Sequence, residues 1–186
     1  MPVTIYRAAP DTGVFQELRT DDAEFLKKST FNGDPIEGPW RAPKLYIPDT
    51  TKPEPDIWGC FGNPSIFAIS PQLADDALRG FIDESCEEFP LRIRSREWRL
   101  INVVNVVDCL DADRSRFDPA APAHVTDYEF LPIFSGWLWK IPQTCRTEVL
   151  TPEGMAARHD EFKGTVEKLK LTGLRFERLW RGEGPP

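Results

Sequence analysis

Residues 98–110, WRLINVVNVVDCL, constrain the fold of this chain more than any other segment. One isoleucine and four valines make the segment rich in β-branched side chains, which favour strands over helices. Both sets of alternate residues are mostly apolar, so neither face suits solvent. This pattern is typical of an interior strand covered on both sides. We therefore expect residues 98–110 to be the spine of a sheet, with Asn102 and Asn105 inside and hydrogen-bonded, and residues 111–115 to form the turn that leaves it.

The remaining periodic segments predict a mixture of strands and helices. Ser-Pro and Thr-Pro pairs start two helices, and Gly80 and Gly173 end them. Because strands and helices do not alternate strictly, the predicted class is α+β, with a mixed or antiparallel central sheet and two or more helices. The predicted strands are 66–70, 89–98, 126–134, 136–141 and 174–180, and the predicted helices are 70–80 and 151–173.

The length of 186 residues predicts one domain, with or without a small N-terminal lobe. Proline locks φ and removes a hydrogen-bond donor, so the proline-rich stretch 39–56 predicts an extended connector. We accordingly divide the chain into an extended N-terminal segment or lobe (1–56), an α+β domain (57–182) and a tail (183–186).

The net charge of −7 is unevenly distributed along the chain. Residues 1–90 hold 8 basic and 16 acidic side chains, whereas residues 91–186 hold 15 and 14. An acidic chain repels nucleic acid and attracts basic partners, so we expect no direct nucleic-acid binding. Solubility alone is the other explanation for the charge.

The sequence contains no apolar run of membrane-spanning length, and its start lacks the basic and apolar regions of a secretory signal. We therefore expect a cytoplasmic protein without a membrane partner. The four cysteines form no C-x-x-C pair, which indicates reduced thiols that lie mostly in the core.

Motifs for catalysis or metal binding are missing. Aligned as a calcium loop, the aspartates after residue 110 place Arg116 where glycine is needed and Pro122 where glutamate is needed. The two histidines, His124 and His159, form no zinc motif, and no nucleophile elbow or phosphate-binding loop occurs. We predict no catalytic residue, no metal and no cofactor.

Two features suggest a surface for a partner. An acidic run within residues 75–88 is either a solvated surface or a patch for a basic protein. Trp137 and Trp139 are either core residues or interface anchors. The acidic candidates for partner binding are Asp75, Asp76, Asp83, Glu84, Glu87 and Glu88.

Two motifs resemble a family of known function. NVVDCLDADRS (105–115) and LTGLRF (171–176), in the order of segments around them, resemble a bacterial immunity-protein family of polymorphic-toxin and type VI secretion systems. The resemblance covers residues 25–180. The residues that carry it, expected to be structural, are Asn105, Asp108, Cys109, Asp111, Ser115 and Gly173.

The resemblance implies a cytoplasmic protein that binds and neutralises a cognate toxin, with no catalytic group of its own. If the toxin is a basic nuclease, the acidic patch would compete with phosphate for its lysines and arginines. Two alternatives remain open at this point. One is an enzyme or small-ligand domain with a polar pocket around Asn102, Asn105, Asp108 and Asp111; the other is a structural partner in the secretion apparatus.

Overall fold

The structure is a computed structural model that describes residues 2–156 and 160–184. Strands dominate and four short helices accompany them, so the predicted α+β class is confirmed. The strands are β1 (Pro2–Pro10), β2 (Glu17–Leu18), β3 (Ile57–Cys60), β4 (Asn63–Ile69), β5 (Cys86–Ile93), β6 (Arg96–Val103), β7 (Arg116–Asp118), β8 (Ala121–Asp127), β9 (Val149–Glu153) and β10 (Leu174–Glu183).

The helices are short and lie between strands. They are α1 (Ala23–Lys28), α2 (Pro71–Asp76), α3 (Arg79–Ile82) and α4 (Phe162–Lys168), with a 3-10 turn at Pro142–Thr144. Within the described ranges, none of these helices has the length and apolar character needed to cross a bilayer.

The strands form two main sheets and a separate hairpin. The larger sheet has the order β2-β3-β4-β6-β5, and only its β2–β3 pair is parallel. The smaller sheet has the order β10-β1-β9 and is antiparallel throughout. Strands β7 and β8 pair only with each other.

Strand β6 has apolar side chains on both faces, as the sequence predicts. Trp98 and Leu100 pack in one core cluster, whereas Ile101 and Val103 pack in another. Because successive side chains of a strand alternate between faces, the two clusters lie on opposite sides of the sheet. Asn102 shares the face of Leu100 and is fully buried. The prediction of a strand covered on both sides is therefore confirmed.

Different parts of the chain cover these two faces. Phe25, Phe31, Trp40, Leu45 and Ile47 from the N-terminal segment pack against the Leu100 face. Side chains of α2, α3 and α4 pack against the Ile101 face. The proline-rich connector thus covers the sheet, and the helices form the opposite layer.

The predicted spine is shorter than residues 98–110. Strand β6 ends at Val103. The rest of the predicted spine, residues 104–110, makes isolated bridges, one of them between Val106 and Lys140. The strand lies between β4 and β5, one position from the edge of the sheet.

The single strand predicted over 89–98 is wrong, because this stretch is a hairpin. Arg94 and Ser95 have φ values of 47° and 69° and form the two-residue turn between β5 and β6. Two-residue hairpin turns need positive φ, which Asn-Gly or Asp-Gly usually supplies. Neither residue pair occurs here, so the turn gave no signal in the sequence.

The helix predicted over 70–80 starts correctly and ends too late. The Ser70 hydroxyl accepts a hydrogen bond from the Leu73 N–H at 3.2 Å, which caps α2. The helix ends at Asp76, and Gly80 lies inside α3. Leu78 lies between the two helices, and its side chain is fully buried in the core.

Two further predictions need correction. The strands predicted over 126–134 and 136–141 do not form; apart from the end of β8, these residues make isolated bridges. Gly136, between the two segments, has a φ of 81°. The predicted helix 151–173 shrinks to α4, because Thr151 and Pro152 belong to β9. A proline is tolerated there because β9 is the outer strand of its sheet.

The first and the last strand of the described residues, β1 and β10, belong to the small sheet. Strand β1 lies between β9 and β10, so residues from the N-terminal segment form the middle of a sheet made with the C-terminal part of the chain. Hydrogen bonds of both sheets cross the division predicted at residue 56. The last strand predicted, 174–180, is confirmed, and it continues to Glu183, the first residue of the predicted tail.

Candidate binding surface

The six acidic candidates of residues 75–88 do not form one surface. In the antiparallel register of β5 and β6, Glu87 lies opposite Asn102 and Glu88 lies opposite Ile101. Because Asn102 and Ile101 point to opposite faces, so do Glu87 and Glu88.

Glu87 holds the N-terminal segment onto the sheet. Its carboxylate accepts hydrogen bonds from the Ile36 N–H at 3.0 Å and from the Asn102 side-chain amide at 3.1 Å. The same amide also donates to the Asp34 carbonyl at 3.4 Å. Glu87 is therefore engaged inside the protein and does not share a surface with the other five acids.

Three of the remaining acids are neutralised by two arginines. Arg79 contacts Asp75 at 3.2 Å, Asp83 at 2.7 Å and Glu88 at 2.5 Å. Arg99 contacts Asp75 at 2.8 Å and Glu88 at 2.7 Å, and the hydrogen bond that it donates to Glu88 raises the pKa of this arginine. This network ties α2 and α3 to the sheet and leaves little charge for a partner.

Asp76 and Glu84 differ from the other four. Both are exposed, and neither makes an ion pair or side-chain hydrogen bond within the described part of the chain. Asp76 lines a cavity of about 720 Å³ and Glu84 lines a second cavity of about 530 Å³. Both cavities are lined by Ala77 and Leu169, so they adjoin and form one open groove, hereafter the helix groove. It lies between α3 and α4 at the Glu84 end and beside α2, the start of β6 and residues 54–56 at the Asp76 end.

The floor of the helix groove is apolar. Leu73 and Leu171 line the Asp76 end, and Phe81 and Trp137 line the Glu84 end, with their rings in an edge contact at 5.9 Å. Leu169 lines both cavities and is 46% exposed. The groove therefore exposes apolar area to which a partner can bind.

The rim of the helix groove is acidic. Six acidic and two basic side chains line the groove, and Glu54 is ion-paired with Arg94 and Arg96. The exposed Asp76, Glu84 and Glu97 then outnumber Lys168, which gives the groove a negative potential. The charged residues that line it are Glu54, Asp56, Asp76, Glu84, Glu97, Asp160, Arg96 and Lys168.

The two tryptophans considered as core residues or interface anchors have different positions. Trp139 is fully buried and stacks on Phe134 at 5.6 Å. Trp137 is half-buried and lines the helix groove.

The residues of the NVVDCLD motif support loops. Asn105 donates from its side-chain amide to the carbonyls of Ser135 and Leu138, each at 3.1 Å. The Asp108 carboxylate accepts a hydrogen bond from the Gln143 amide at 2.6 Å on the surface.

The end of the motif forms the predicted turn. Asp111 accepts hydrogen bonds from the Arg114 N–H and the Ser115 N–H, and the Ser115 side chain joins the turn to the backbone of Glu129. Cys109 is buried, and burial raises the pKa of its thiol to about 12. The hydrogen bonds of Asn105, Asp108, Asp111 and Ser115 all lie within the protein.

Gly173 is required by its surroundings. Its φ is 100°, and a Cβ at this position would lie 2.0 Å from the carbonyl oxygen of Ile57. The Gly173 carbonyl also accepts a hydrogen bond from the Asp11 N–H at 2.8 Å. The residue thus joins the chain before β10 to β3 and to the loop after β1.

The polar pocket of the alternative hypothesis has no counterpart in the grooves described above. Asn102 is buried against Glu87, Asn105 and Asp111 hold loops, and Asp108 is exposed. His124 is exposed on β8, and His159 lies outside the described residues. In residues 2–156 and 160–184, no cluster of three or more histidine, cysteine, aspartate or glutamate side chains is arranged to hold a metal.

Sequence analysis missed a buried lysine. Lys140 is fully buried, and its ammonium donates to the carbonyl oxygen of Phe31 at 2.7 Å. Burial disfavours the charged form and lowers the pKa of this lysine to about 8. Its position in the apolar run GWLWKI was the available signal, but the predicted strand there gave no reason to place the lysine inward.

Sequence analysis also missed a buried glutamate. Glu161 is fully buried, and its Oε1 accepts hydrogen bonds from the consecutive N–H groups of Gly154, Met155 and Ala156 at 2.7, 2.7 and 2.9 Å. Three converging N–H groups form an anion-binding nest. Here the nest is filled by the protein's own carboxylate.

No protein-family model matches the sequence, and no curated protein gives a significant match to it.

Proposed function

We propose that the protein is a cytoplasmic immunity protein that binds a cognate bacterial toxin and neutralises it by covering its active site or substrate channel. One observation carries the proposal: Asp76 and Glu84, unpaired within the described residues, line an open groove with an apolar floor. An apolar patch with a polar rim is the arrangement expected of a protein-binding surface.

The charge of the groove indicates the chemistry of the toxin surface. A negative rim attracts a basic protein and steers its association, and a basic nuclease is such a protein. The toxin surface is therefore proposed to be basic, as expected from the sequence. Of the six acidic candidates, Asp76 and Glu84 are the two proposed to contact it. The motif resemblance to the immunity family is a second, independent support.

The test uses the candidate toxin encoded by the neighbouring reading frame. Co-expression of the wild-type chain with that toxin is expected to restore growth of a bacterial host. The double variant Asp76→Lys, Glu84→Lys is expected to lose most of this protection. A matched double variant, Asp113→Lys with Asp127→Lys, changes the charge equally at exposed acids outside the groove and is expected to retain it.

If neither the wild type nor any variant protects the host, the proposal is rejected. Equal loss of protection in the two double variants would show that net charge, rather than the groove, controls binding. Circular dichroism of both variants establishes that they are folded before the comparison is made.

A further inference from the structure

We propose that Leu169 anchors the partner on the helix groove, and that the end of α4 holds this side chain in place for contact. The inference rests on the proposed function and names the residue of the groove that supplies affinity. It leaves to Asp76 and Glu84 the separate task of steering the partner to the surface.

The two acids of the groove do not account for tight binding by themselves. Asp76 and Glu84 are exposed, and ion pairs between exposed side chains add little to the free energy of association. Exposed charges act mainly on the rate at which two proteins meet. Affinity comes from apolar area that the partner removes from water, so its source lies on the floor of the groove.

Leu169 has the largest exposed fraction among the large apolar side chains of the floor. Leu73, Leu171 and Trp137 are half-buried and pack against one core cluster, and Phe81 is a buried member of that cluster. Leu169 is 46% exposed and lines both cavities of the groove. A partner that covers the groove therefore contacts Leu169 wherever along the groove it binds.

The backbone that carries Leu169 is fixed by the way in which α4 ends. The Lys170 N–H donates to the Glu167 carbonyl at 3.1 Å, and the Leu171 N–H donates to the Val166 carbonyl at 3.0 Å. These two hydrogen bonds, with Lys170 in the left-handed region at a φ of 55°, form a Schellman motif. Leu171 packs against the core cluster that contains Val166, and this apolar contact accompanies the motif.

This helix end leaves Leu169 exposed on a backbone that is already ordered. Binding then orders few further groups at this position, and the same apolar contact gives a higher affinity than it would on a mobile loop. Lys170 is an uncommon residue for the motif, because the left-handed conformation suits glycine and asparagine. Substitutions of Lys170 therefore change the helix end without changing the anchor.

The test measures binding kinetics between the whole chain and the candidate toxin of the neighbouring reading frame by surface plasmon resonance. Leu169→Ala is expected to weaken binding at least ~10-fold, mainly through faster dissociation. Asp76→Asn is expected instead to slow association and to reduce its dependence on salt. Ile133→Ala, at an apolar residue exposed outside the groove, is the control and is expected to bind as the wild type does.

Two substitutions of Lys170 test the helix end, and both remove the same charge. Lys170→Gly suits the left-handed conformation and is expected to keep the wild-type affinity. Lys170→Val opposes this conformation because valine is β-branched, so it is expected to weaken binding while circular dichroism shows a folded chain. Equal affinity of these two variants would overturn the role given to the helix end.

Wild-type affinity in Leu169→Ala would overturn the anchor, as would an equal loss of affinity in Ile133→Ala. Failure of the inference is distinguishable from failure of the proposed function. If the wild type neither binds nor neutralises the toxin, the function itself fails. If the wild type and Leu169→Ala bind and neutralise the toxin equally well, the function holds and the anchor is wrong.

Discussion

Glu87 and Glu88 are consecutive residues of β5 whose carboxylates lie on opposite faces of the five-stranded sheet. Glu87 accepts hydrogen bonds from Ile36 and Asn102 beneath the N-terminal segment. Glu88 joins the surface network of Arg79 and Arg99 on the helix side. The two-residue period of a strand thus divides a charge run in the sequence between two faces of the sheet, with one carboxylate on the N-terminal segment and the other in the arginine network.

This difference predicts unequal effects of the same substitution. Glu87→Gln replaces a charged acceptor of two hydrogen bonds in a half-buried site, and we expect it to lower the free energy of unfolding by about 1–3 kcal/mol. Glu88→Gln weakens ion pairs near solvent, and we expect a loss of less than about 1 kcal/mol. Urea denaturation of both variants provides the comparison, and equal losses would contradict the assignment of Glu87 to the interior.

A pair of glycines gives a second prediction. Gly173→Ala would place a Cβ 2.0 Å from the Ile57 carbonyl oxygen at a residue with φ of 100°. We expect this variant to lose more than about 3 kcal/mol of stability, because both the backbone strain and the clash must be relieved. Gly80→Ala is the control, since nothing lies within 4 Å of its added Cβ and it sits inside α3. That variant is expected to be neutral or stabilised by up to about 1 kcal/mol in thermal unfolding.

The predictable parts of the fold are those that local chemistry determines. The β-branched segment predicted β6 correctly because a strand packed on both faces needs apolar side chains at successive positions. Leu100, Ile101 and Val103 meet this need, and Asn102 among them is hydrogen-bonded. Ser70 and Pro71 gave the start of α2 because capping is a local interaction. The helix after Thr151 was wrong because the same Thr-Pro signal also fits an edge strand, and pairing with β1, about 145 residues away in sequence, decides between them.

The helix groove was less predictable than the fold. Its acids were anticipated as part of a run, but the sequence does not reveal which of them have arginine partners. Arg99 reaches Asp75 from another element, and Arg79 satisfies three acids at once. Whether an acid is free depends on these tertiary contacts, so Asp76 and Glu84 could be distinguished only in the folded chain.

Cysteine reactivity tests the burial of the core. Burial raises the pKa of the Cys60, Cys86 and Cys109 thiols, whereas Cys145 is exposed. Since the thiolate is the reactive form, we expect one thiol to react rapidly with Ellman's reagent at mildly alkaline pH and the other three to react only on unfolding. Cys145→Ser is expected to remove the rapid phase alone; a rapid phase that persists in this variant would contradict the burial of the remaining thiols.

Lys140 makes stability depend on pH in a direction that can be worked out. Its pKa falls from 10.5 to about 8 in the folded protein, so the unfolded chain binds more protons between these values. The contribution of this lysine to the free energy of unfolding therefore rises with pH from about 8 to about 10.5. Below pH 8 the buried charge lowers stability by about 3 kcal/mol relative to a lysine with an unchanged pKa. The buried thiols act in the opposite direction, because at alkaline pH they stay protonated in the folded protein and ionise in the unfolded chain, which lowers stability as pH rises.

A substitution separates these two effects. Lys140→Met keeps the length of the side chain, removes the charge and leaves the cysteines unchanged. The difference in unfolding free energy between this variant and the wild type is expected to favour the variant most near pH 7. That difference should then fall by about 2–3 kcal/mol as the pH rises to about 10.5, since the wild-type lysine becomes neutral. Urea denaturation across this pH range measures it, with Lys170→Met, at an exposed lysine, as the control. A flat difference for Lys140→Met would mean that Lys140 keeps an ordinary pKa in the folded protein.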